Sequence, residues 1–120
     1  MIGNYNFSYI FLFLTIIFVV AAKQGEYVSV QFLNGYAIEK SDDCKYDWLI
    51  FQDGPFFFSP IIKRLCGESD SMAPINSTGR YMRMWFRTDD FIQLRGFVLH
   101  PQYIPIPSKY MKLFAEYSVK

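Results

Sequence analysis

Two cysteines, Cys44 and Cys66, stand 22 positions apart and enclose an apolar run that ends in a turn signal. The run Tyr46–Gln52 is mostly aromatic and aliphatic, and the Asp-Gly-Pro sequence at 53–55 is a strong stop for a strand. A disulfide between the two cysteines would close a loop around this run and stabilise the fold by about 3 kcal/mol. The alternative is two free buried thiols, which an oxidising compartment disfavours.

The N-terminal segment favours such a compartment. Residues 1–22 carry no charged side chain, and Tyr9–Ala22 is an apolar run of 14 residues interrupted only by Thr15. This length fits the core of a signal peptide and is short of the roughly 20 residues that span a bilayer. We therefore predict a signal peptide at 1–22, a β domain at 23–104 and a C-terminal tail or linker at 105–120. No Lys or Arg precedes the run, and an uncleaved anchor or a buried strand remain as alternatives.

Alternation with a period of two dominates the rest of the chain and predicts strands. In Tyr81–Arg87 the residues Met82, Met84 and Phe86 alternate with Arg83 and Arg87. Asn34-Gly35 predicts a turn between two short strands. Further strands are predicted over 46–52, 61–65 and 96–103, and no segment before Pro107 shows sustained helical spacing. Several short strands separated by turn signals favour an all-β, antiparallel β-sandwich.

Charge and motifs exclude several classes of function. The chain has 12 basic and 11 acidic residues and a net charge of +1, so it has no basic field that would hold nucleic acid. The only histidine is His100, and the sequence contains no nucleophile elbow, zinc-protease motif or phosphate-binding loop. The sequence therefore predicts neither an enzyme nor a site for a small-molecule substrate.

Three carboxylates lie in or at the ends of predicted strands. They are Glu39, Asp47 and Asp89, and they would repel one another if they met in space without a cation. Ca²⁺ suits such a group, because it takes six to eight hard oxygen ligands in a flexible geometry. The sequence has no Cys/His cluster of the kind that binds zinc. The alternative is that each acid is a solvated residue at a strand end.

Two further features suggest surface sites. Phe56, Phe57 and Phe58 form an aromatic run in a loop, which predicts either a partner-binding patch or a lid over the core. Asn76-Ser77-Thr78 is a sequon and predicts an N-linked glycan on Asn76 if the chain is secreted.

From Val28 to Tyr103 the chain resembles a CUB domain. The resemblance rests on matches that occur in the order of the family: Cys44-x-Tyr46-Asp47-x-Leu49, Asp53-Gly54, Ser59-Pro60, Cys66-Gly67, Ser77-x-Gly79, Phe86-x-Thr88-Asp89 and Gly96-Phe97. It implies an antiparallel β-sandwich of an extracellular protein, with Glu39, Asp47 and Asp89 as ligands of Ca²⁺. It also implies that the domain at 23–104 is a partial one, incomplete at its N-terminal side.

The stretches 53–67, 77–82 and 103–107 are also similar to the first CUB domain of the neuropilin and tolloid-like proteins. That resemblance implies a longer single-pass protein on the extracellular side of the plasma membrane. It also implies a role as an auxiliary subunit of ionotropic glutamate receptors of the kainate type at synapses. Two alternatives remain: a CUB module of a tolloid- or complement-type secreted protease, and a stand-alone secreted adhesion protein.

Overall fold

The fold consists of two antiparallel β-sheets, as seen in a computed structural model that describes residues 5–6, 14–88 and 96–107. A short 3-10 turn at Asp42–Cys44 precedes the fourth strand. The strands are β1 Tyr5–Asn6, β2 Leu14–Ala21, β3 Glu26–Ile38, β4 Trp48–Gln52, β5 Ile61–Leu65, β6 Gly67–Ser69, β7 Ile75–Asn76, β8 Tyr81–Thr88 and β9 Gly96–Pro105.

The two sheets have different strand orders. One sheet, here called the β3–β9 sheet, runs β1-β9-β3-β6, and β7 also pairs with β3. The other, the β4–β8 sheet, runs β2-β8-β4-β5. All of these pairings are antiparallel, which confirms the all-β antiparallel fold predicted from the alternation.

The core lies between the sheets and contains aromatic rings from both of them. In β8 the burial alternates at every residue, so that Met82, Met84 and Phe86 point inwards. Phe86 meets Phe97 of β9 edge to face, with ring centroids 4.9 Å apart. Phe32 of β3 meets Phe51 of β4 in the same way at 6.0 Å. Burying each such ring contributes roughly 1.5–3 kcal/mol to the stability of the fold. The edge-to-face contacts between rings of opposite sheets set how the two sheets face each other.

The prediction that Asn34-Gly35 forms a turn between two strands is wrong. These two residues have positive φ angles of 66° and 71°, as in a turn, but they form a bulge within the continuous strand β3. The register with β9 shifts between Phe32 and Tyr36 at this point. A side chain on Gly35 would bring its Cβ within 1.9 Å of the Ser69 carbonyl oxygen, so the bulge also lets β6 approach closely.

The apolar N-terminal run contributes a strand to the sandwich. β2 pairs with β8 along its whole length, from Leu14 opposite Thr88 to Ala21 opposite Tyr81. Val20 is 1% exposed and belongs to the core. This arrangement corresponds to the buried-strand interpretation of the run, while cleavage after Ala22 stays a prediction.

Candidate calcium site and recognition loop

A hydrogen bond between the ends of two neighbouring strands holds the buried carboxylate of Asp47, one of the predicted calcium ligands. Trp48 pairs with Arg87, which places Asp47, just before β4, opposite Thr88, the last residue of β8. Thr88 Oγ1 donates to Asp47 Oδ2 at 2.8 Å. Both residues are almost completely buried, at 3% and 1% exposure. A carboxylate in such a place must be compensated by donors or by a cation.

Of the other two predicted ligands, only Glu39 belongs to the described residues. Glu39 directly follows β3 and is half-buried, and its Oε1 atom is fully buried. Asp89 follows Thr88 in the sequence but lies outside the described residues. Within the described ranges, no three acidic, histidine or cysteine side chains form a metal-binding group. The residues that are described nevertheless fit a hard cation, because they offer buried carboxylate oxygens.

The predicted disulfide is confirmed. Cys44 and Cys66 are bonded, with their Cα atoms 5.6 Å apart. The bond ties the 3-10 turn at Asp42–Cys44 to the residue that follows β5. It therefore anchors the segment that leads into Asp47, three residues after Cys44.

The three phenylalanines form an exposed cluster rather than a lid over the core. Phe56, Phe57 and Phe58 are 56%, 77% and 70% exposed. Phe56 and Phe58 stack in parallel at 5.0 Å, and Phe57 packs edge to face on Phe58 at 5.2 Å. We call residues 53–60 the phenylalanine loop.

Hydrogen bonds hold the backbone of the phenylalanine loop in one shape. The Gln52 side chain, 3% exposed, donates from Nε2 to the carbonyl oxygens of Phe57 at 2.8 Å and Ser59 at 3.0 Å. Phe56 N donates to Ser59 Oγ at 3.0 Å, and Ser59 N donates back to the Phe56 carbonyl. Gly54 adopts φ 140°, and a Cβ there would lie 2.5 Å from Ser59 Oγ. The aromatic rings are thus displayed on a preorganised loop.

Asp53 links this loop to the predicted glycosylation site. Its Oδ1 accepts from Thr78 N at 2.9 Å, and its Oδ2 accepts from Thr78 Oγ1 at 2.7 Å. Asn76 lies in β7 opposite Ser29 and its side chain is exposed, so a glycan attached there would point into solvent. The sequence pattern places Asp53 in a turn and does not reveal this link.

Two further supporting residues that the motifs do not reveal are Gln52 and Thr88. Both are polar residues at the very end of a strand whose other buried positions are mostly apolar. That position is the signal that could have identified them, because a buried polar side chain at a strand end must find a partner. Gln52 supports the phenylalanine loop, and Thr88 supports Asp47.

These features define a class of protein: a disulfide-linked antiparallel β-sandwich that displays a fixed aromatic loop and holds buried carboxylates at strand ends. The chain belongs to the CUB domain family, which its residues 14–100 match. Domains of this family occur in the extracellular regions of proteins and generally act as non-catalytic protein-interaction modules. The matched region begins at the first residue of β2.

Known proteins narrow the resemblance. The chain is 40% identical over 91 residues to neuropilin and tolloid-like protein 2 of Mus musculus. The aligned residues make up 76% of this chain and 17% of that protein. It is 34% identical over 91 residues to neuropilin and tolloid-like protein 1 of Mus musculus, with the same coverage of 76% and 17%. The chain thus spans 17% of the length of these curated relatives.

A solved structure supports the assignment of the fold to the CUB family. The fold is similar to that of the MASP-1 CUB2 domain bound to Ca²⁺, with a TM-score of 0.63 and 25% identity. The similarity covers 74% of this chain and 77% of that chain. Across the described residues of the present chain, no helix combines the length and apolar character that a membrane span requires.

Proposed function

We propose that this chain is a non-catalytic, Ca²⁺-dependent recognition module of an extracellular protein. The protein would be an auxiliary subunit of the neuropilin and tolloid-like type that binds ionotropic glutamate receptors of the kainate class. The recognition role rests on the phenylalanine loop, whose rings are exposed and whose backbone is held by hydrogen bonds. The relatives that are 34–40% identical support the choice of family for the longer protein.

The loop has the properties of a protein-binding surface. Aromatic side chains carry most of the binding energy at many interfaces, and a cluster of three exposed rings is unusual on an isolated domain. Because Gln52 and Ser59 already hold the backbone, binding would order few additional residues. That lowers the entropic cost of association.

Calcium would act on the part of the sandwich next to Asp47. Glu39, Asp47 and Asp89 are the residues that would hold it, and the bound ion would neutralise their charges and tie these three positions together. In this proposal Thr88 orients the Asp47 carboxylate through its hydrogen bond of 2.8 Å. Calcium therefore sets the shape of one end of the sandwich, while the phenylalanine loop supplies the contact surface.

The test is a binding assay with the full chain and the extracellular domain of a kainate-type receptor, in calcium and in chelator. We expect binding in calcium, and a loss of at least about tenfold in the variant Phe57→Ser/Phe58→Ser, because truncated aromatic anchors typically cost more than about 1 kcal/mol each. The matched control is Leu33→Ser, which removes a 40% exposed apolar side chain from β3. Absence of binding by the wild-type chain would refute the receptor assignment, and equal affinities of the two variants would refute the role of the loop.

A further inference from the structure

The outward side of the β4–β8 sheet carries three arginines and both tryptophans of the chain. In β8 the buried methionines alternate with Arg83, Trp85 and Arg87, which therefore point away from the core. Trp48 pairs with Arg87, and Arg64 of β5 lies opposite Ile50, which in turn pairs with Trp85. We call Arg64, Arg83, Arg87, Trp48 and Trp85 the arginine–tryptophan face.

The side chains of this face interleave. The indoles of Trp48 and Trp85 pack edge to face with centroids 5.2 Å apart. Arg87 lies over the Trp48 ring at 4.9 Å and Arg64 lies over the same ring at 5.9 Å. Arg83 lies 6.0 Å from the Trp85 ring. These contacts hold the guanidinium groups against the two indole rings.

The positive charge of the face is not neutralised within the described part of the chain. Arg83 donates to Gln52 Oε1, and Arg87 donates to the Tyr46 carbonyl at 3.3 Å, but neither they nor Arg64 contact a described carboxylate. The indole nitrogens of Trp48 and Trp85 are buried and have no hydrogen-bond acceptor there. The face thus combines three cations with two ring systems.

We infer that the arginine–tryptophan face binds a sulfated polysaccharide. Guanidinium groups present paired N–H donors that match the oxygens of an oxyanion such as sulfate, and an indole offers an apolar surface to the C–H side of a sugar ring. An acidic peptide fits less well. Four of the five residues of the face lie on the inner strands β4 and β8, which are paired on both sides and offer no open edge to a peptide backbone.

Both tryptophans of the 120-residue chain lie on this face, so intrinsic fluorescence reports on it directly. The experiment titrates the full chain with heparin, with unsulfated hyaluronan and with polyglutamate, in calcium and in chelator. We expect heparin to change the fluorescence with an affinity that falls as salt rises, and hyaluronan and polyglutamate to bind at least about tenfold more weakly. The binding is expected in both calcium and chelator, which separates it from the proposed receptor function.

The variant Arg64→Gln/Arg87→Gln should bind heparin roughly tenfold more weakly. Its control, Lys40→Gln/Lys63→Gln, removes the same charge from exposed positions off the face, since Lys63 pairs with the core residue Phe51. The single variant Arg64→Gln changes an exposed residue whose described contact is one ring, so it keeps the test valid if the double variant fails to fold. No response to heparin, an equal loss in the lysine control, or equally tight binding of polyglutamate would each overturn the proposal.

Discussion

Thr88 Oγ1 donates a hydrogen bond of 2.8 Å to Asp47 Oδ2 and so joins the end of β8 to the residue that precedes β4. This bond places a buried carboxylate beside Thr88, the residue that precedes the predicted ligand Asp89 in the sequence. The pairing of β4 with β8 thus determines where Asp47 stands.

Replacing Thr88 by valine should destabilise the fold by about 1–2 kcal/mol, because the buried carboxylate loses a donor while the volume of the side chain is kept. The measurement is urea denaturation of the full chain. Thr15→Val is the matched control, since Thr15 is exposed on β2 and pairs with Arg87 in the neighbouring position. If both variants unfold at the same urea concentration, the hydrogen bond does not support Asp47.

Calcium should raise the melting temperature of the wild-type chain but not that of Asp47→Asn. At a concentration one hundred times its Kd, an ion bound only by the folded state adds about 2.7 kcal/mol, which corresponds to roughly 10 °C or more in a domain of this size. Differential scanning fluorimetry with increasing calcium measures this shift. Asp70→Asn removes one exposed acid elsewhere and should keep the response. If calcium raises the melting temperature of Asp47→Asn as much as that of the wild type, Asp47 is not a calcium ligand.

The disulfide between Cys44 and Cys66 should stabilise the chain by about 3 kcal/mol, as for a loop of this length in the chain-entropy model. Urea denaturation of Cys44→Ser/Cys66→Ser, compared with the oxidised wild type, measures the difference. The reduced wild-type chain is the control and should match the double variant. A reduced chain as stable as the oxidised one would show that packing alone holds the 3-10 turn against β5.

Local patterns predicted β3, β4, β5, β8, β9 and the disulfide, because alternation and cysteine spacing report directly on burial and on covalent links. They failed where one local pattern is compatible with two different structures. Asn34-Gly35 adopts the positive φ angles that its residue types favour, but those angles fit a bulge as well as a hairpin. Only the pairing of β3 with β9 on both sides of the bulge decides between them.

The calcium site could be predicted only in part, for a related reason. The sequence places Glu39 at the end of a strand and Asp47 inside the strand predicted at 46–52, whereas in the structure Asp47 lies just before β4. It does not reveal that Thr88 would bond to Asp47, because that contact spans 41 residues. The same holds for Asp53 and Thr78, which are 25 residues apart in the chain.

Gly35→Ala should destabilise the fold by more than about 2 kcal/mol. The new Cβ would lie 1.9 Å from the Ser69 carbonyl oxygen, and the φ of 71° is itself strained for alanine. Gly79→Ala is the control, since its Cβ would meet nothing within 4 Å. Thermal unfolding of both variants measures the difference. Equal melting temperatures would mean that β6 does not approach β3 as closely as the structure places it.

Val19 and Val20 are adjacent residues that test whether β2 packs into the sandwich. Val20 is 1% exposed and Val19 is 43% exposed, although both pair with β8. In the intact chain, Val20→Ala should cost about 2 kcal/mol, because it leaves a cavity in the core, whereas Val19→Ala should cost a few tenths.

The same pair tests the predicted cleavage after Ala22. If a eukaryotic secretory host removes residues 1–22, the mass of the secreted product shows it, and neither variant can change the stability of that product. The cleaved chain would also expose the edge of β8 where β2 had paired, and we expect it to associate or to unfold without a cooperative transition. A cleaved, monomeric chain that melts at the temperature of the intact one would show that the sandwich does not need β2.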